Sequence, residues 1–235
     1  DTARRFSWAV SASLSNHFTM ENEGGESLLL DGQTDALTLS LRYGLPQQWD
    51  VEVTVPWRHY SGGVTDNLIS SWHRLFGLPD GNRHSYPTDA LHYQLSQPEH
   101  DRHLLRSVSG LGDIHVAVSR PLLAIDGGQL GISAGVKTAS GRASDWLGSG
   151  AADIYALLRF SGQQLGGRPL WWHGQVGGTR AGNSNLFGPY QRRSLWFAGF
   201  AAEWRFTPRW SALMQYDGHS ALLDGALEAV GAVSY

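Results

Sequence analysis

Apolar and polar residues alternate with a period of two through most of this 235-residue chain. Residues 36–42 read Ala-Leu-Thr-Leu-Ser-Leu-Arg, and residues 50–55 read Asp-Val-Glu-Val-Thr-Val. Successive side chains of an extended strand point to opposite faces, so this pattern places the apolar side chains of each segment on one face. The repetition predicts an all-β fold of about ten to twelve strands, each with one apolar and one polar face.

The alternating segments define the strands of a single predicted domain, residues 1–235. Short turns alternate with long polar connections along the chain. Residues 15–36 and residues 58–111 are expected to be external loops. A further hairpin, residues 90–96 with residues 102–108, would raise the number of strands from ten to twelve. The ten predicted strands lie near residues 5–16, 34–45, 49–60, 112–123, 129–139, 151–161, 169–180, 194–206, 209–219 and 225–235.

The low charge of the chain favours a transmembrane antiparallel up-and-down β-barrel over a soluble β-sandwich, which also alternates. Charged residues make up 17% of the chain, against roughly 25% in soluble domains, and a surface that faces lipid explains the deficit. Short turns on one side and long loops on the other are typical of outer-membrane barrels. Aromatic residues cluster at strand ends, as they do at membrane interfaces. We expect one ring to contain Trp49, Trp171, Trp204 and Trp210.

Composition limits the compartment and the partners. No segment approaches the roughly 18 apolar residues of a transmembrane helix, and no apolar run of a signal peptide follows the first residues. We expect that a signal peptide has been removed and that the numbering starts after it. The expected location is the outer membrane of a Gram-negative bacterium, with outer-membrane lipid and lipopolysaccharide as partners. The net charge of −3 provides no basic field for nucleic acid, and the absence of Cys excludes thiolate metal sites.

The polar face of the predicted strands carries charges of both signs. It is expected to line the lumen, because Arg or Lys on the lipid face costs about 2–4 kcal/mol at the bilayer midplane. Either the charges form a translocation path with a mixed-charge constriction, or ion pairs brace a narrow lumen. The candidate lumen-lining residues are Arg42, Glu52, Arg58, Asp113, His115, Lys137, Asp153, Arg159, His173, Glu203, Asp217 and His219. The residues expected to meet lipid include Leu39, Val53, Val116, Ile132, Leu158 and Phe200.

Residues 65–76 are predicted to form a short helix in the long external loop. Thr65 and Asp66 are good N-cap types, and Gly77 can take the left-handed conformation that ends a helix. A helix this short is marginal in water, so it needs a surface on which to bury its apolar stripe. It is expected either to plug or gate the external mouth or to pack on an extended external hairpin. The stripe consists of Leu68, Ile69, Trp72, Leu75 and Phe76, and the plug or gate candidates are Asp66, Ile69, Trp72 and Phe76.

The sequence gives little support for a metal site or for an enzyme active site. Six histidines fall in the long loop, but their spacing matches no metal site, so neither metal nor cofactor is expected. A lipid hydrolase or acyltransferase barrel needs a nucleophile and a base on one face. His219 and Ser220 are neighbours and therefore point to opposite faces, whereas Ser15 and His17 share the lumen face, away from lipid. We therefore expect no enzyme activity.

Short motifs recur at the ends of the predicted strands. The most specific is Phe76-Gly77-Leu78-Pro79-Asp80-Gly81, which follows the predicted helix. The others are Leu30-Asp31-Gly32, Arg42-Tyr43-Gly44-Leu45, Val55-Pro56-Trp57, Ser61-Gly62-Gly63, Gly110-Leu111-Gly112-Asp113-Ile114, Lys137-Thr138-Ala139-Ser140-Gly141 and Gly148-Ser149-Gly150. Together they resemble an uncharacterised family of proteobacterial outer-membrane barrels, a domain of unknown function. Similar strand motifs occur in barrels encoded with aromatic-degradation (meta) pathways, and that resemblance implies a channel for small apolar solutes.

These patterns predict an outer-membrane channel or uptake barrel for passive transport of a small solute, apolar solutes included. The alternative is a structural or accessory barrel with a closed lumen, whose loops bind a partner. A lipid-modifying barrel enzyme is the third interpretation.

Overall fold

The computed structural model describes residues 4–79, 85–125, 127–163 and 169–227, and in these ranges the protein is almost entirely β-sheet. None of the helices in these ranges is long and apolar enough to cross a membrane. The strands and the helix are β1 Phe6–Glu23, β2 Glu26–Gly44, β3 Asp50–Ser61, α1 Asp66–Phe76, β4 His92–Gln97, β5 His100–Leu104, β6 Val108–Leu111, β7 His115–Ile125, β8 Gly128–Lys137, β9 Asp153–Gly162, β10 Leu170–Arg180, β11 Ser194–Thr207 and β12 Trp210–His219.

All twelve strands in the described ranges belong to one antiparallel sheet, as the alternation predicts. Nine of them form a meander in the order β12-β11-β10-β9-β8-β7-β3-β2-β1. β6 pairs with β3 beyond the end of β7, and β4 pairs with β2 beyond the end of β3. The short β2–β3, β7–β8 and β11–β12 connections all lie at one end of the strands. We call this the turn end of the sheet, and the opposite end of the strands the loop end. β3 and β7 to β12 closely follow the predicted ranges.

The first hairpin is longer than the sequence indicated. β1 and β2 pair without interruption from Phe6–Tyr43 to Glu23–Glu26, so the predicted external loop at residues 15–36 is wrong. Gly24 and Gly25 form the turn with φ of 59° and 83°. A two-residue turn of type I′ needs positive φ at both positions, which glycine adopts without steric cost.

The predicted long loop at residues 58–111 is likewise partly structured. It contains the end of β3, α1, β4, β5 and β6. The hairpin predicted near residues 90–96 and 102–108 corresponds to β4 and β5, with Gln97 paired to His100 at the turn. It extends the edge of β2 at the loop end, because β4 pairs with residues 27–31 of β2. It therefore adds no strand to the nine-strand meander.

The register divides the sheet into two chemically different faces. Directly paired residues in antiparallel strands share a face, and Arg42 pairs with Glu52 as Lys137 pairs with Asp153. We call this side the charged face and the other the apolar face. The charged face carries Arg42, Glu52, Arg58, His115, Lys137, Asp153, Arg159, His173, Glu203, Asp217 and His219. The apolar face carries Leu39, Val53, Val116, Ile132, Leu158 and Phe200.

Within the described ranges the sheet is not closed into a barrel, because β1 and β12 are unpaired edges. β1 and β12 are the first and ninth strands of the meander, so they run in the same direction. Antiparallel closure therefore needs an odd number of strands between them. Residues 225–227 are not in a strand, contrary to the start of the strand predicted at 225–235, and residues 228–235 lie outside the described ranges.

Candidate functional site

A cavity of about 900 Å³ lies on the charged face towards the turn end. Of the candidate lumen-lining residues, Arg42, Arg159, His173 and Asp217 line it. In the described ranges the Arg159 side chain has no hydrogen bond or ion pair. Residues that the sequence did not single out also contribute, because small and amide side chains carry no recognisable functional pattern. They include Ser119, Gln129, Ser161, Gln175 and Gln215.

Other charges on this face are paired across or along strands. The Arg42 guanidinium lies 3.1 Å from the Glu52 carboxylate, and both side chains are partly exposed. Arg205 lies 3.6 Å from Glu203 within β11. These pairs join neighbouring positions on the charged face, although exposed pairs of this kind stabilise little.

A buried charge cluster lies nearer the loop end. Lys137 Nζ donates hydrogen bonds to Asp113 Oδ2 at 2.7 Å, Ser149 Oγ at 2.6 Å and the Ala151 carbonyl at 2.8 Å. Asp153 Oδ2 lies 3.3 Å from the same nitrogen. The three donors of the ammonium group are thus used, and they join the end of β8 to Asp113 and to the loop at residues 138–152.

Asp113 itself lies in the connection before β7 and is buried. The backbone N–H groups of Gly141 and Ser149 each donate to its carboxylate at 2.9 Å. Burial alone would raise the pKa of Asp113, but the hydrogen bonds from Lys137, Ser149 and Gly141 outweigh it and lower the pKa below its usual value. Hydrogen bonds to a carboxylate stabilise its charged form, so Asp113 holds the loop at residues 138–152 as an anion.

At the loop end the charged face becomes apolar and is covered by packed loops. Leu28 and Leu95 pair across β2 and β4, and Leu223 and Leu227 pack on them. A second cluster contains Tyr60, Leu91, Tyr93, Leu104, Val108 and Leu147. We call these two clusters the cap. The cap lies on the same side of the sheet as the cavity. Leu28 is an even number of residues from Arg42 in β2, and Tyr60 is an even number of residues from Glu52 in β3, so both lie on the charged face.

The tyrosines of the cap are held by specific contacts. Tyr60 donates to the Trp146 carbonyl at 3.1 Å, and its ring lies 5.6 Å from that of Tyr93 in an edge contact. Burial raises the pKa of Tyr93 to about 12, so its phenol stays neutral. The sequence did not reveal the cap, because Trp146 and Leu147 lie in a loop without periodicity.

Helix α1 begins and ends as predicted, but most of its apolar stripe is not buried. It runs over Asp66–Phe76 and ends at Gly77, whose φ is 64°. Ile69 is half-buried, whereas Trp72 and Phe76 are each 56% exposed and contact one another, with ring centroids 4.5 Å apart. The role of these residues as a plug or gate stays a prediction.

Four tryptophans lie at the turn end, but not on one face. Trp204 and Trp210 are exposed on the apolar face, and Trp49 lies just before β3, with the Arg120 guanidinium 5.6 Å from its ring centroid. Trp171 pairs with Glu203 and is therefore on the charged face. The expectation of one common ring fails for Trp171 because its position has the parity of the charged residues.

Comparison with known proteins shows the family and no more. Within the described ranges no group of three or more His, Cys, Asp or Glu side chains could hold a metal ion. No curated protein matches the chain. Residues 2–229 match a family described as protein of unknown function (DUF3187), and the chain belongs to that family.

Proposed function

We propose that this chain is an outer-membrane barrel that conducts a small solute passively along its charged face. The cavity of about 900 Å³ on that face carries the proposal, since it offers open space lined by charged and amide side chains. The opposite face supports a membrane location: Trp8, Val10 and Ile154 are 67%, 54% and 61% exposed. Soluble monomers rarely expose a contiguous apolar surface of that kind.

The class of solute rests on two different arguments. Similarity of the strand motifs to barrels encoded with aromatic-degradation pathways favours an apolar solute. The cavity wall, with Arg159 unpaired in the described ranges and several amide side chains, favours a solute that also carries polar groups. A small aromatic acid combines both properties and is the solute class to test first.

A second function is favoured by the cap. Packed apolar side chains close the charged face at the loop end, with Leu95 and Leu147 each only 1% exposed. In a closed barrel this cap would block passage, and the protein would be a structural or accessory barrel with partner-binding loops.

Conductance across planar lipid bilayers separates these functions. We expect the purified protein to form channels, and Arg159→Gln to shift the reversal potential in a salt gradient towards cation selectivity, because it removes a positive charge from the cavity wall. Arg209→Gln is the matched control, since Arg209 is exposed in the β11–β12 turn and does not line the cavity. It should leave selectivity unchanged.

The cap gives the experiment its second arm. Channels that appear only with Leu147→Ser would identify a barrel that the cap closes. If neither the native chain nor this variant conducts, although both migrate as folded barrels, the transport function is wrong.

A further inference from the structure

Helix α1 begins on the apolar face of the sheet. Asn16 pairs with Gln33 in the β1–β2 register and has the parity of Leu14, so its side chain lies on that face. Asn16 Nδ2 donates to Thr65 Oγ1 at 3.1 Å and to Asp66 Oδ1 at 2.9 Å. Thr65 Oγ1 in turn donates to Gln33 Oε1 at 3.3 Å. The start of the helix is therefore on the side of the sheet opposite to the cavity.

Helix α1 also begins at a defined height along strands β1 and β2. Leu14 is 56% exposed on β1, and the next residue on that face is the polar Asn16. On β2 the exposed Leu37 is followed on the same face by Asp35. On these two strands the apolar face thus changes from an exposed apolar side chain to a half-buried polar one at the level where α1 starts. In a membrane barrel this change marks the boundary between acyl chains and headgroups.

Each side of α1 has a different environment. Asp66 is 2% exposed, and Ile69, Ser70 and His73, on the same side, are half-buried. A second side is exposed and apolar: Leu68, Trp72, Leu75 and Phe76 are 69%, 56%, 73% and 56% exposed. The third side is exposed and polar, and consists of Asn67, Ser71 and Arg74. A helix with one free apolar side and one free polar side suits a lipid–water boundary.

We propose that α1 is an interfacial helix, whose apolar side inserts among the acyl chains of the leaflet at the loop end. Its polar side, with Arg74, then faces water and headgroups. The inference rests on the proposed membrane location and goes beyond transport. It also replaces the plug, because α1 cannot enter the cavity from the apolar face while Asp66 remains bonded to Asn16.

Spin labelling tests the position of the helix, and the absence of Cys lets each single-cysteine variant carry one label. Leu75→Cys reports the apolar side, and Arg74→Cys is the matched control on the polar side. Leu39→Cys is the reference for the apolar face of the sheet. In lipid vesicles, collision rates are measured with oxygen, which concentrates among acyl chains, and with a water-soluble nickel chelate. We expect an oxygen-to-nickel ratio several-fold higher at position 75 than at 74, and close to that at 39.

The outcomes separate this proposal from the membrane location itself. A water-like ratio at position 75 with a lipid-like ratio at 39 would overturn the interfacial helix and leave the barrel in the membrane. Water-like ratios at both positions would overturn the membrane location. Low collision rates with both reagents at position 75 would mean that the apolar side is buried against protein, which also overturns the proposal.

Discussion

A single buried carboxylate, Asp113, ties the loop at residues 138–152 to the sheet, and its ionisation makes that tie dependent on pH. The pKa of Asp113 is lower in the folded chain than in the unfolded one, so its contribution to stability is complete above the unfolded pKa, about 3.9. The contribution is lost as pH falls through the folded pKa. Asp113→Asn should reduce the free energy of unfolding by about 1–3 kcal/mol at neutral pH. Denaturant unfolding in detergent should show this difference shrinking below about pH 4.

Asp224→Asn is the control at this scale. Asp224 pairs with Arg192 at 2.7 Å, but its side chain is 69% exposed, and exposed ion pairs contribute about 0–1 kcal/mol. A loss of stability in Asp113→Asn that stays constant down to pH 2 would contradict the role given to the Asp113 anion.

At the residue scale, the sequence predicted on which face of the sheet a side chain lies, but not which groups it bonds to. Alternation correctly placed Lys137 and Asp153 on the same face, because period two is a local property of a strand. It did not predict that Ser149 and Gly141 bond to Asp113, since these contacts depend on how the loop at residues 138–152 folds back. The sequence contains no periodic signal for such a path.

At the scale of elements, strands β9 and β10 depend on an aromatic ring packed over a glycine. Gly174 pairs with Phe160, and a Cβ at Gly174 would overlap the Phe160 ring. Gly174→Ala should therefore lower the free energy of unfolding by about 1–3 kcal/mol through overpacking. Gly178→Ala, on the same strand and face, would meet only the Leu195 carbonyl oxygen, at 3.3 Å, and should cost less. Equal losses in denaturant unfolding would show that the ring contact is unimportant.

The elements also show what limits prediction from sequence. α1 was predictable because Thr65, the apolar stripe and Gly77 are local signals. The long β1–β2 hairpin was not, because beyond Leu14 the polar residues of both strands resemble a loop, and only Gly24-Gly25 reveals the turn. The placement of α1 on the apolar face depends on bonds between Asn16 and Asp66, fifty residues apart, which no local pattern encodes.

At the scale of the whole molecule, the division between a charged and an apolar face accounts for the composition, the register and the cavity together. The chain after β12 crosses to the first hairpin, since Ala226 N donates to Glu26 Oε2 at 3.0 Å and Leu227 packs near Leu28. This crossing brings the end of the described chain beside the β1–β2 hairpin. A strand that descends between β12 and β1 is the closure that the antiparallel order requires, and it stays a prediction.

The central claim is that the apolar face meets lipid, and a cysteine scan of β8 tests it most directly. Each residue from Gln129 to Lys137 is replaced in turn by cysteine and labelled with a fluorophore, in vesicles whose acyl chains carry a bromine quencher. We predict strong quenching at positions 130, 132, 134 and 136 and weak quenching at the intervening positions, because the register gives these two sets opposite faces. Uniformly weak quenching, or quenching with the opposite phase, would contradict the membrane barrel.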